Sequence, residues 1–129
     1  MEVMLFHAHS GLRYLVLLAG IVALVSLLQG RFGGRPYGRA DRLTGAAFTG
    51  LLDVQVLLGV ITVFVRPWFP ALIGHIVMMV LALAVAHGLG IAARRANTES
   101  RRYSLALLAV VLPLLLIIGG VTAIGRSLV

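Results

Sequence analysis

The chain has 129 residues, 60% of them hydrophobic and 12% charged, with no cysteine and a formal charge of +7. A water-soluble domain of this length could not hide so much apolar surface, and the missing thiols exclude disulfides, iron–sulfur clusters and thiolate zinc sites. All eleven basic residues are arginines and eight of them sit around two short loops, which reads as a membrane-topology signal rather than a nucleic-acid surface, so no nucleic-acid partner is expected.

Four apolar runs, 4–29, 43–65, 71–93 and 103–124, each meet the ~20 residues that a membrane-spanning helix needs. The expected fold is all-α: one domain over 1–129, an integral membrane four-helix bundle with almost nothing outside the bilayer. Arg31, Arg35, Arg39 and Arg42 follow the first run, and Arg94, Arg95, Arg101 and Arg102 follow the third. The positive-inside rule places both loops in the cytoplasm and both termini outside, in a multi-pass protein of a bacterial cytoplasmic (inner) membrane. The N-terminus has no basic n-region and no A-x-A site follows the first run, so that run is expected to be a retained helix.

The first helix carries His7, His9 and Arg13 near its outer end. Residues two apart on a helix are about 200° apart, so only one of the two histidines points inward; His9 is favoured because Arg13 lies one turn away on its face. The loop after it, rich in Gly and Arg, suits anionic lipid headgroups. The second helix is expected to start near Asp41 and to carry Asp53 and Gln55 at depth, on different faces. Asp53 is the one carboxylate of the apolar interior, and the basic residue nearest in depth is Arg13. The helix stops at Arg66-Pro67-Trp68-Phe69-Pro70, a tight turn that makes the second and third helices antiparallel neighbours.

The third helix carries His75 and His87, with small residues four apart at Ala82, Ala86 and Gly90 and at Ala84, Gly88 and Ala92. Ionisable groups in lipid are costly and tend to face a cofactor, a partner or water. At ~1.5 Å per residue, His75 lies about 6–8 Å below the outer end, level with His9 and His7, whereas His87 is about 18 Å deeper. Two imidazoles from different helices at one depth can hold a haem b. The expected axial ligands are His75 and His9, with His7 the alternative, and Arg13 and Arg66 are the propionate candidates. His87, Gln55 and Asp53 are candidates for an inner-half polar or quinone site. Met78 and Met79 read mainly as packing. Asn97-Thr98-Glu99-Ser100 offers cap chemistry for the fourth helix, and Pro113 lies within that helix.

The segments His7-x-His9-Ser10-Gly11-Leu12-Arg13-Tyr14, Gln55-Val56-Leu57-Leu58-Gly59, His75 and Ala86-His87 together resemble a group of small bacterial four-helix membrane proteins of cytochrome b-like type. The resemblance runs over most of the chain and implies haem binding in the membrane without naming a reaction. Such proteins often place a histidine where this chain has Asp53. The layout is also similar to four-helix b-type cytochromes and to the membrane anchors of respiratory enzymes. The expected function is electron transfer through one bis-histidine haem near the outer face, linked to quinol. The alternatives are a cofactor-free accessory subunit of a larger respiratory or photosynthetic complex, and a quinone- or lipid-binding scaffold. Expected partners are membrane lipids, quinone and other subunits of a membrane complex.

Overall fold

The structure is a computed structural model and describes residues 2–65 and 67–125. Four helices run antiparallel in chain order: α1 (Glu2–Phe32), α2 (Arg39–Val65), α3 (Leu72–Arg94) and α4 (Glu99–Ala123). All four are long and apolar enough to cross a membrane. The start of α1, the α2–α3 turn and the end of α4 share one end of the bundle. The α1–α2 and α3–α4 connections share the other, arginine-bearing end.

Three of the helices, α1, α2 and α4, start before the apolar runs they contain. Both α2 and α4 begin four residues earlier than hydropathy places them. Thr98 explains the α4 start: its backbone is extended and its Oγ1 accepts the N–H of Arg101, supplying one of the acceptors that a helix N-terminus lacks. Hydropathy marks the part of a helix that belongs in lipid, while capping and hydrogen bonding decide where the helix itself ends.

α1 packs along α2, and α3 lies most closely on α4; α1 also meets α4, but α2 and α3 touch only sparsely. The short turn therefore joins two helices that are splayed rather than packed. Val16, Ala23 and Leu27 of α1 and Phe48 and Leu52 of α2 are buried. At Gly20 a side chain would collide with Leu114 and the Phe48 ring, so the missing Cβ admits both. On α3 the buried residues are Met79, Ala82, Ala86 and Ala93. Small side chains at this spacing let α3 and α4 approach closely. The second expected seam is turned outward at Ala84 and Gly88, which are exposed. Pro113 is accommodated inside α4 and buried.

The arginine-bearing end is closed by Asp41, which is only 1% exposed. Its carboxylate accepts from Ser26 Oγ at 2.9 Å, from Arg35 Nη1 at 3.0 Å and Nη2 at 3.2 Å, from the Gly38 N–H at 3.0 Å and from Tyr103 Oη at 3.3 Å. One carboxylate thus ties α1, the loop, α2 and α4 together. Tyr103 Oη also donates to the Arg35 carbonyl at 2.8 Å, and the Tyr37 N–H donates to Glu99 at 2.7 Å. Arg35 is therefore committed to a protein carboxylate, where a lipid headgroup was expected. Its hydrogen bonds to Asp41 hold its pKa above the usual guanidinium range. Burial pushes the Tyr37 phenol up, with the Asp41 charge adding to the effect.

Candidate functional site

At the other end of the bundle, His9 on α1 and His75 on α3 face each other with ring centroids 6.4 Å apart and planes at 89°. Each ring is held through Nδ1 by a backbone carbonyl of a different helix. His9 Nδ1 lies 3.2 Å from the Gln55 carbonyl, and His75 Nδ1 lies 2.9 Å from the Gly120 carbonyl. A carbonyl only accepts, so both Nδ1 atoms carry the hydrogen, and in a neutral imidazole this puts the ring's lone pair on Nε2. A hydrogen bond from the second ring nitrogen to a carbonyl is also how metal-ligating histidines are commonly oriented.

Both carbonyls are available for local reasons. Gly120 belongs to the last turn of α4, whose carbonyls run short of helical donors. The Ile124 N–H, which would have served Gly120, turns instead to Val121. On α2, the residue one turn after Gln55 is Gly59. A Cβ there would come within 3.0 Å of the His9 ring, so the glycine opens the Gln55 carbonyl to a second donor. Gln55 returns the contact: its Nε2 donates to the His9 carbonyl at 2.8 Å. The expected grouping of Gln55 with an inner-half site is thereby corrected. Gln55 is level with His9, because residues 9 and 55 meet in the antiparallel α1–α2 pair.

Two cavities meet at the histidines. One of about 500 Å³ lies in the gap between α2 and α3 and is walled mainly by apolar side chains, among them Phe6, Val56, Phe64, Leu72 and Ile76. The other, of about 60 Å³, lies on the α1 and α4 side and includes Arg13 and Gln55. Arg13 Nε and Gln55 Oε1 are buried there without a hydrogen-bond partner. Arg13 Nη2 donates to Tyr14 at 3.2 Å, and the side chain that meets Asp53 is His87, not the Arg13 that depth alone suggests.

The remaining candidates separate. His7 is exposed and packs edge-on against Phe6, 5.8 Å between centroids. Arg66, the second propionate candidate, lies outside the described residues. Met78 and Met79 pack against Gly120. His87 and Asp53, both expected in the inner half, meet across the α2–α3 gap, with Nε2 2.7 Å from Oδ1. Asp53 and Gln55 do serve different faces, one toward His87 and one toward His9. Sequence reasoning missed Gly59 and Gly120 as the positions that seat the imidazoles. Their one visible signal was a glycine inside an apolar helix, which is common in membrane spans.

Among the described residues, no three or more of His, Cys, Asp and Glu gather as a metal-binding group. A site with two axial imidazoles does not require one. No family model matches the chain, and neither a curated protein nor a solved structure is similar to it.

Proposed function

We propose that the protein holds one haem b between His9 and His75 and carries electrons within the membrane. The observation that carries this reading is the histidine pair itself. His9 and His75 would hold the group, one from α1 and one from α3, and their ring centroids stand 6.4 Å apart. The backbone bonds at Nδ1 leave the ligating lone pair on Nε2 in both rings. The adjoining cavity of about 500 Å³ is apolar, as a porphyrin face requires. The buried, unpartnered Nε of Arg13 suits a propionate. When bound, haem would supply one-electron chemistry. The chain's own contribution is to hold the two imidazoles, exclude water with the walls of the cavity, and offset carboxylate charge with Arg13.

By the positive-inside rule, the arginines of the two connections support a cytoplasmic position for that end, and with it a position of the histidine pair toward the outer face of a bacterial inner membrane. The resemblance to cytochrome b-like four-helix proteins agrees with this reading.

The test is an absorption spectrum of the detergent-purified protein after reconstitution with haemin, before and after dithionite. A Soret band and a reduced α-band of a low-spin six-coordinate haem are expected. His75→Ala and His9→Ala should each remove the six-coordinate spectrum, and His87→Ala should keep it. A folded protein that takes up no haem would overturn the reading and leave the accessory-subunit alternative, which co-purification of stoichiometric partners would support.

A further inference from the structure

At the arginine-bearing end, a cleft of about 340 Å³ between α2 and α3 is bordered by Tyr37 of the first connection, Arg42 of α2 and Arg94 of α3. The arginines of this end are not alike. Arg35 is committed to Asp41, while Arg102 donates to the Ala96 carbonyl at 2.8 Å and lies 3.7 Å from Glu99. The guanidinium groups of Arg42 and Arg94 make no hydrogen bond or ion pair with any described residue, and Tyr37 Oη makes no hydrogen bond with one. Asp41 and Glu99, the two carboxylates of this end, are engaged by Arg35 and Arg102. The charges of Arg42 and Arg94 are thus left without a counter-ion among the described residues.

These charges gather at one phenol. Burial is the largest influence on Tyr37 and Asp41 adds to it, whereas Arg42, Arg102 and Arg94 act in the opposite sense. Arg102 also stands over the Tyr37 ring, 5.9 Å from its centre. Height suggests the counter-ion. Arg42 immediately precedes the apolar run 43–65, and Arg94 immediately follows the run 71–93. In antiparallel helices both then lie at the edge of the hydrocarbon, the level of lipid phosphates. Beyond them the cleft is mainly apolar. Leu27, Ala93, Ala106 and Val110 are buried along its lining, and Gly45 and Gly90 add no side chains to its walls. The His87–Asp53 contact borders its deeper end. The gap beside it is open, because α2 and α3 touch only sparsely.

We propose that this cleft binds one acidic phospholipid, with the phosphate between Arg42 and Arg94, Tyr37 Oη as a further donor, and an acyl chain in the α2–α3 gap. Arginine meets phosphate oxygens with paired N–H donors. A zwitterionic lipid brings the same phosphate together with a cation that the arginines repel, so the site selects a net negative headgroup. A soluble phosphate would leave the apolar lining uncovered. Lipid binding here stands independently of the haem, whose proposed ligands lie at the other end of the bundle.

The experiment is native mass spectrometry of the delipidated protein in detergent, with no haem added, titrated with phosphatidylglycerol or with phosphatidylcholine. One saturable phosphatidylglycerol adduct is expected, about tenfold or more tighter than the phosphatidylcholine adduct. Arg42→Gln and Arg94→Gln should each weaken it about fivefold, the contribution of one arginine facing an anionic lipid. Arg31→Gln makes the same charge change on α1, outside the cleft, and should leave the adduct unchanged. Gly90→Leu keeps every arginine and fills the cleft, and a Cβ there meets nothing within 4 Å; it too should weaken the adduct. The arginine variants remove no side-chain bond within the described residues, so they decide should Gly90→Leu fail to fold. Equal affinity for the two lipids would overturn the proposal. So would an Arg31→Gln loss as large as that of Arg94→Gln, which would mark a general attraction to the charged end, or wild-type affinity in a folded Gly90→Leu protein. Displacement of the lipid by equimolar inorganic phosphate would also overturn it, by showing that a soluble anion is the ligand.

Discussion

Asp41→Ala should destabilise the bundle by about 3–4 kcal/mol, and Asp41→Asn by about 2 kcal/mol. The carboxylate is 1% exposed and receives bonds from Ser26, Arg35, Gly38 and Tyr103. Not all four are lost equally. Tyr103 keeps its 2.8 Å bond to the Arg35 carbonyl, and Ser26 can turn to a carbonyl of its own helix. The loss concentrates on the Gly38 N–H and on the guanidinium, which loses its paired charge. Because Arg35 is 41% exposed, water offsets part of its loss. Hydrogen bonds to a charged group contribute ~1.5–3 kcal/mol each, and two of them with this discount lead to the figure above. Asparagine keeps one acceptor oxygen but turns an N–H₂ group toward the same donors, so it recovers only part. The assay is reversible unfolding in dodecylmaltoside micelles titrated with dodecyl sulfate, read by circular dichroism. An Asp41→Ala protein within about 1 kcal/mol of wild type would refute the argument that this carboxylate joins the helices.

Three further outcomes can be checked on the same preparation. Thr98→Ala should cost about 1 kcal/mol, because it removes the acceptor for the Arg101 N–H at the start of α4. Gly120→Ala should cost about 1–3 kcal/mol, since its Cβ would meet Met78 Cβ at 3.1 Å as well as the Met79 methyl, and Met78 Cβ cannot swing away; Gly88→Ala, with nothing within 4 Å, should be neutral or slightly stabilising and serves as its control. Gly59→Ala should move the His9 ring by a few tenths of an ångström, visible as a shift of the His9 imidazole resonances in a selectively labelled sample, while those of His87 stay in place.

Some of the candidate site was legible in the sequence because helical rise is constant. Counting residues from the ends put His9 and His75 at one depth, and the 200° between residues two apart both turned His7 away and sent Asp53 and Gln55 to different faces. The same counting misjudged Gln55, because depth on a single helix does not say which neighbour lies alongside. It also suggested Arg13 for Asp53, where the rotation of α2 and α3 presents His87 instead. The glycines under the imidazoles were invisible as site residues, since a missing Cβ matters only when another helix comes against it.

The sequence by itself therefore determined four spans, their order, the asymmetry of charge between the two ends and the polar residues placed in the apolar interior. Each is a sum over residues or a local spacing, and needs no knowledge of a neighbour. Only the tertiary structure decided the pairings: His9 with the Gln55 carbonyl, His75 with the Gly120 carbonyl, His87 with Asp53, and Asp41 with four separate donors. These depend on how each helix is rotated about its axis and how closely it approaches the next. That is set by the small buried residues between α3 and α4, by the α1–α2 contact, and by the gap that the splayed α2 and α3 leave open.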